Sequence, residues 1–358
     1  MSHQSRILIT GGAGFIGTNL AASYLRDGYR VTLLDNLSRP GAIRNLEWLQ
    51  GQFHGSARFI QADVTDGRAV RDAVMDADSI YHFAAQVAVT TSLVDPLGDH
   101  RVNAEGTLNV LEAIRSSPHK PALVYTSTNK VYGSLNEIRL SKRSSRYEPD
   151  DQELAASGIS EQQRLDFHSP YGCSKGSADQ YVIDYGRCFN LPTVVFRMSC
   201  ICGPHQQGTE DQGWVAHFIR RILAGEPITI YGDGRQVRDV LYVGDLVRAF
   251  RLLERPSAAV QHCAFNIGGG PNQTTSVLEL LDVVRRLTQC QPVISFGSAR
   301  VGDQLWYVSD HSHFTELTGW RPSVTISESV QHMISWLTSE AAQDVYEIAE
   351  REPECALH

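Results

Sequence analysis

Tyr171 and Lys175 stand four residues apart in Ser169-Pro170-Tyr171-Gly172-Cys173-Ser174-Lys175-Gly176. A helix that begins near Pro170 stacks both side chains on one face. An ammonium group held beside a phenol favours the phenolate, so this spacing predicts a lowered tyrosine pKa. Such a tyrosine can take a proton from an alcohol while hydride leaves the same carbon. Taken alone the pair is ordinary, because Tyr and Lys at this spacing also decorate helix surfaces. The chemistry needs a hydride acceptor and elements that bring it to the pair.

Those elements begin at the N-terminus. Ile7-Leu8-Ile9 reads as a short apolar strand running into Thr10-Gly11-Gly12-Ala13-Gly14-Phe15-Ile16-Gly17, then an amphipathic helix to about Arg26. Gly11 permits a tight turn, and Gly14 lets a pyrophosphate approach the backbone at the helix start. Gly17 lets the helix pack closely on the strand. A second strand, Val31-Thr32-Leu33-Leu34, ends at Asp35. An acid there suits adenosine ribose hydroxyls and repels a 2′-phosphate, which predicts NAD over NADP. Arg39, close by, pulls the other way.

The alternation continues. Strands are expected at 58–60, closing on Asp63-Val64, and at 79–83, closing on Ala84-Ala85-Gln86. A helix near 66–75 and a long one over 95–116, carrying Asn103, lie around them. Ala122-Leu123-Val124-Tyr125 leads into Thr126-Ser127-Thr128, and Thr193-Val194-Val195-Phe196 is a sixth strand ending at Arg197. Such repeats predict an α/β fold with a doubly wound parallel sheet of the Rossmann type. Ligands bind at the carboxyl ends of its strands, where Asp63, Ala84, Gln86 and Thr128 fall. His82, inside an apolar strand, reads as a satisfied core histidine. Residues 134–165 read as an insertion whose charges (Lys142, Arg143, Arg146, Glu148, Asp150, Asp151) form a solvated surface. From about Gly208 shorter elements suggest a smaller, discontinuous α/β lobe. The expected division is 1–200 for the dinucleotide domain and 201–340 for the substrate lobe, with part of 235–265 returning to the first. The tail, 341–358, has no assigned function.

The 358 residues are 42% apolar and 20% charged, with net charge −8. That supports a substantial core and excludes a disordered chain. No concentrated basic face argues for nucleic acid. Neither a leader nor an apolar span of membrane length is evident, so a cytoplasmic protein with reduced thiols is expected. Cys200-Ile201-Cys202, without a second ligand pair, reads as two packed thiols, and no metal site is expected.

The string TGGAGFIG, Asp35, Tyr171-xxx-Lys175 and a hydroxyl residue after the fifth strand resemble the extended short-chain dehydrogenase/reductase family of nucleotide-sugar-modifying enzymes. The likeness runs to about residue 338. It implies that Thr128 hydrogen-bonds the reacting hydroxyl, that Tyr171 is the base or acid, and that Lys175 holds the nicotinamide ribose and lowers the tyrosine pKa. It implies NAD contacts at Gly11, Gly14, Phe15, Ile16, Gly17, Asp35, Asn36, Ser38, Arg39, Asp63, Val64, Ala84, Ala85, Gln86, Asn103, Ser127 and Met198, besides Tyr171 and Lys175. Substrate contacts are implied at Val87, Thr128, Asn129, Cys200, Gln212, Trp214, Arg238 and Arg300. The two arginines would grip a diphosphate, for which paired guanidinium forks are well suited. Cys200 stands where the family often has asparagine, and Trp214 could stack on a base or sugar or simply pack in a core.

Asn129-Lys130 stand where dehydratases of the family carry Asp-Glu. Removing water needs an acid and a base, so elimination is disfavoured, and oxidation followed by re-reduction remains the simplest chemistry. Longer strings, among them Asp35-Asn36-Leu37-Ser38-Arg39 and Ser127-Thr128-Asn129-Lys130-Val131-Tyr132-Gly133, resemble the 2-epimerases of CDP-linked deoxysugars of the paratose and tyvelose type. The implied function is an NAD-dependent epimerase acting at C2 of a nucleotide-diphosphate sugar, CDP-linked, as a homodimer or homotetramer. A 4-epimerase or 4-keto reductase of the same family stays open, as does an NAD-sensing binding protein without catalysis.

Overall fold

The computed structural model describes residues 5–300 and 302–339, so the tail at 341–358 lies outside the described residues. The first half alternates as β1 (Arg6–Thr10), α1 (Phe15–Arg26), β2 (Arg30–Asp35), α2 (Ala42–Gln52), β3 (Ala57–Gln61), α3 (Gly67–Val74) and β4 (Ser79–His82). The next crossover is helical in pieces: α4 (Val89–Val94), α5 (Pro96–His100), a π turn at Arg101–Glu105, and α6 (Gly106–Ser116). The single long helix expected over 95–116 is thus interrupted by a widened turn. β5 (Ala122–Thr128) runs three residues further than its apolar core, because Thr126, Ser127 and Thr128 pair with the neighbouring strand.

The insertion is not featureless. It forms an antiparallel hairpin of β6 (Leu140–Lys142) and β7 (Tyr147–Pro149), then α7 (Gln152–Ser157). Three-residue strands are too short for an alternating pattern to declare itself. Its charges were expected to be solvated, and Arg146 corrects that. Arg146 Nε donates to Glu279 Oε1 at 2.8 Å, and Lys142 Nζ lies 2.9 Å from Asp233 Oδ2. The hairpin therefore docks on the smaller lobe, while Arg143 and Glu148 remain an exposed pair.

α8 (Ser169–Phe189) and β8 (Thr193–Met198) follow, then β9 (Cys200–Cys202), α9 (Trp214–Leu223), β10 (Ile228–Tyr231) and β11 (Val237–Tyr242). The rest is α10 (Val243–Leu252), β12 (Cys263–Ile267), β13 (Thr274–Ser276), α11 (Val277–Thr288), β14 (Ile294–Gly297), β15 (Trp306–Tyr307), α12 (Ser312–Thr318) and α13 (Ile326–Thr338).

Seven parallel strands make the central sheet, in the order β12-β8-β5-β4-β1-β2-β3. Its two faces are separated by the period-2 alternation of the strands. Ile7, Ile9 and Leu33 pack with Leu20 and Phe250 on one face. Leu8, Leu34 and Ile80 pack with Val110, Leu111 and Val182 on the other. The strand order turns outward in both directions between β1 and β4, and that switch point opens a crevice at the carboxyl ends. A second sheet, β13-β11-β15 with β9 also on β11, carries the smaller lobe over its own core of Ile219, Ile230, Leu280 and Met333. After β11 the chain returns, with α10 packing on α1 and β12 pairing with β8. Among the described residues no helix is long and apolar enough to cross a membrane.

Candidate active site

Between the two lobes lies a cleft of about 950 Å³. Its floor is the glycine turn. Gly11 has φ +67°, and a Cβ there would lie 2.7 Å from Ala84 N. A Cβ on Gly17 would lie 2.3 Å from Gly11 O. The backbone is thus packed against itself where only hydrogen fits. α1 starts without a side-chain cap or an acidic residue in its first turn, so its orphan N–H groups and dipole face the cleft. Asp35 accepts from Ala13 N at 3.0 Å and Leu37 N at 2.8 Å; burial raises its pKa and those two N–H groups oppose the rise. Asn36 Nδ2 donates to Asp63 Oδ2 at 2.6 Å. Ser127 Oγ is buried with no partner among the described residues. A cradle that a Cβ would fill, an anion-attracting helix start and an orphaned hydroxyl fit a dinucleotide.

Every expected cofactor residue lines this cleft except Asn103. Asn103 is buried behind the wall. Its Oδ1 accepts from Gln86 N at 2.9 Å, and its Nδ2 donates to Gln86 O at 3.1 Å and Ser174 Oγ at 3.0 Å. Placed in the π turn, it ties the end of β4 to α8 and supports the wall from behind.

Thr128 closes β5 and caps the turn that follows, its Oγ1 accepting from Lys130 N at 3.2 Å. Tyr171 is in the first turn of α8, and its N–H donates to Ser92 Oγ at 3.2 Å. The expected lowering of the Tyr171 pKa by Lys175 is not found. Burial dominates and pushes the phenol up to about 12; Thr128 and the Arg39 charge pull it down, while Asp99 pushes it up. Lys175 Nζ donates instead to Thr126 O at 2.6 Å and lies 4.3 Å from the Tyr125 ring centroid. Spacing four apart decides the helix face, but a long side chain ends where an acceptor is. Burial brings the Lys175 ammonium down to about 7, with Asp179 and Asp99 opposing.

The opposite wall is built from charged side chains. Arg238 Nη2 donates to Asp303 Oδ1 at 2.6 Å and Nη1 to Val237 O at 2.7 Å. Arg300 Nη1 donates to Glu210 O at 2.9 Å, and its Nη2 is 3.4 Å from Asp211 Oδ1. Arg39 Nη2 donates to Gln212 Oε1 at 2.9 Å, joining the turn after β2 to the smaller lobe. Trp214 opens α9 after Gly213 (φ +78°), lines the cleft, and packs 6.0 Å from Phe218. Val87 and Cys200 also line the cleft. Burial pushes the Cys200 thiol up to about 12, so it is neutral and offers apolar surface. Asn129 Nδ2 reaches Gln304 Oε1 at 3.4 Å.

Ser92, Asp99, Asp211 and Asp303 were given no role in advance, and Lys130 was read only as a departure from the Asp-Glu pair of dehydratases. Asp303 lies three residues past Arg300, but no local pattern says that it pairs with Arg238 on β11. His82 matches expectation: Nδ1 is 2.6 Å from Thr10 Oγ1, Nε2 is 3.1 Å from Thr107 Oγ1, and it does not line the cleft.

Residues 7–268 match the NAD dependent epimerase/dehydratase family. The chain belongs to that family. Within it, this epimerase is similar to the CDP-paratose 2-epimerase of Salmonella typhi, with 40% identity over 341 residues, covering 93% of this chain and 99% of the relative. The solved UDP-glucose 4-epimerase of Thermotoga maritima, holding UDP-glucose, aligns with TM-score 0.77 and 29% identity over 93% of this chain and 98% of its own. The UDP-glucuronic acid 4-epimerase of Bacillus cereus, in complex with UDP-glucuronic acid and NAD, aligns with TM-score 0.79 and 25% identity over 93% and 98%. The family is of the extended short-chain dehydrogenase/reductase kind, and NAD is the cofactor of this enzyme.

Proposed function

We propose that the enzyme inverts C2 of a nucleotide-diphosphate sugar, a CDP-linked deoxyhexose, through a transient 2-keto sugar. The observation that carries this reading is the 40% identity, across nearly the full length, to a CDP-paratose 2-epimerase. The cleft chemistry supports it. Bound NAD supplies a hydride acceptor that returns the hydride within each cycle. The turn from Gly11 to Gly17 and the start of α1 would hold its pyrophosphate, Asp35 its adenosine ribose, and Lys175 its nicotinamide ribose.

Tyr171, as the phenolate, takes the proton from the reacting hydroxyl at its phenolic oxygen and later gives it back. Thr128, beside the phenol, hydrogen-bonds that hydroxyl and orients it. Burial keeps Tyr171 protonated in the resting fold, and a cation brought against it lowers its pKa toward the working range. Arg39 already contributes in that direction. Arg238 and Arg300 hold the diphosphate as a pivot while the keto sugar presents its other face. Asn129 cannot act as an acid, so water loss is not favoured.

The test is to incubate the enzyme with a panel of nucleotide sugars in D₂O and follow them by NMR. Inversion at C2 of a CDP-sugar without deuterium incorporation is expected. Inversion at C4 alone, or at C2 with solvent deuterium, overturns the reading.

A further inference from the structure

Lys130 has no part in the proton and hydride transfers just described. It lines the cleft two residues past Thr128, on the turn that closes β5. Its ammonium donates to Gly302 O at 3.1 Å and lies 3.7 Å from Asp303 Oδ1. The same carboxylate oxygen accepts from Arg238 Nη2 at 2.6 Å. Two cations thus share one carboxylate, and this corner of the cleft keeps a net positive charge. The side chains are only 21% exposed for Lys130 and 11% for Arg238, so water screens them poorly. Burial and the Arg238 charge hold the ammonium down to about 8, and Asp303 opposes them. Half-neutralised, partly buried cations gain most from an anion carrying more than one charge.

We propose that Lys130 is a substrate-binding residue that grips the diphosphate together with Arg238, the diphosphate taking over from Asp303 as their counter-ion. This rests on the nucleotide-sugar reading and deepens it. It also bears on which carbon reacts. The Lys130 backbone N–H holds the Thr128 hydroxyl at 3.2 Å, so the phosphate grip and the group that orients the reacting hydroxyl share one short turn. C2 is bonded to the carbon that carries the diphosphate, whereas C4 lies across the ring. A clamp so close to Thr128 suits reaction at C2.

The test uses NAD-loaded wild type, Lys130→Gln, Lys130→Met and Lys130→Arg, titrated with CDP and with cytidine. The methionine variant keeps the apolar stem and so guards against loss of packing. In the Gln and Met variants CDP affinity should fall about tenfold or more, with cytidine affinity, NAD content and melting temperature unchanged. The Arg variant should recover most of the CDP affinity. Wild-type CDP affinity retained in both Gln and Met variants overturns this inference alone. Equal losses for CDP and cytidine overturn it as well, because they mark a structural role. A wild-type protein that binds no nucleoside diphosphate overturns the functional reading and this inference with it.

Discussion

On the sheet side the cleft is floored by backbone: the glycine turn, the N–H groups that open α1, and the strand ends at Ala84 and Ala85. On the facing side they are guanidinium and ammonium groups, each already engaged. Arg238 and Lys130 share Asp303, and Arg300 has Asp211. The first wall is fixed by covalent geometry and by close packing beneath it. The second is held by ion pairs, which an incoming anion can exchange. The first suits a cofactor that stays through every turnover. The second suits a substrate that must enter, turn and leave.

If the walls differ in this way, they should break differently. Gly17→Ala should have the largest effect. Its Cβ would sit 2.3 Å from Gly11 O, so the turn must open, and the purified variant should carry no NAD by its absorbance ratio and should melt well below wild type. Tyr171→Phe should leave both walls standing, retaining NAD while kcat falls by about 10³-fold, the usual range for losing a positioned acid–base group. Arg238→Met should raise KM for the nucleotide sugar by about 10- to 100-fold with NAD content unchanged. In the wild type, KM should rise with ionic strength while NAD retention should not, since only one wall depends on exchangeable charge. A salt-sensitive NAD content would break the comparison.

The smallest effect concerns the support beneath the cofactor wall. Burial, with Lys175 second, lowers the His82 pKa to about 3. The folded chain keeps His82 neutral, whereas the unfolded chain takes up a proton below about pH 6.5. This contribution to stability is complete above pH 6.5 and is lost progressively as pH falls from 6.5 toward 3. Between pH 6.5 and 5 the loss is on the order of 1–2 kcal/mol. His82→Gln should therefore flatten the acid side of the melting curve, measured as Tm against pH. An unchanged slope would mean that other groups set the acid limit.

Much of this molecule is written locally. The strand–glycine–helix opening, Asp35 at the end of β2, Thr128 at the end of β5 and Tyr171 at the start of α8 each follow from spacing over fewer than about twenty residues. Such signals survive because backbone conformation is decided within a turn or two of chain. What escaped involves partners far apart in sequence. Asn103 supports the wall by bonding Gln86 and Ser174, 17 and 71 positions away. Arg146 leaves the supposed solvated insertion to pair with Glu279, 133 positions on. Asp303 reaches Arg238 across 65 positions and so decides the resting state of the charged wall.

The charge state of Tyr171 divides the same way. Sequence alone determined that Tyr171 and Lys175 share a helix face and that a dinucleotide turn precedes them. Only the tertiary structure decided that the phenol is buried and that the ammonium turns to the Thr126 carbonyl. It also decided that Lys130 joins Arg238 around one carboxylate. Burial and long-range pairing depend on how separate segments close on each other, and no window along the chain contains that information.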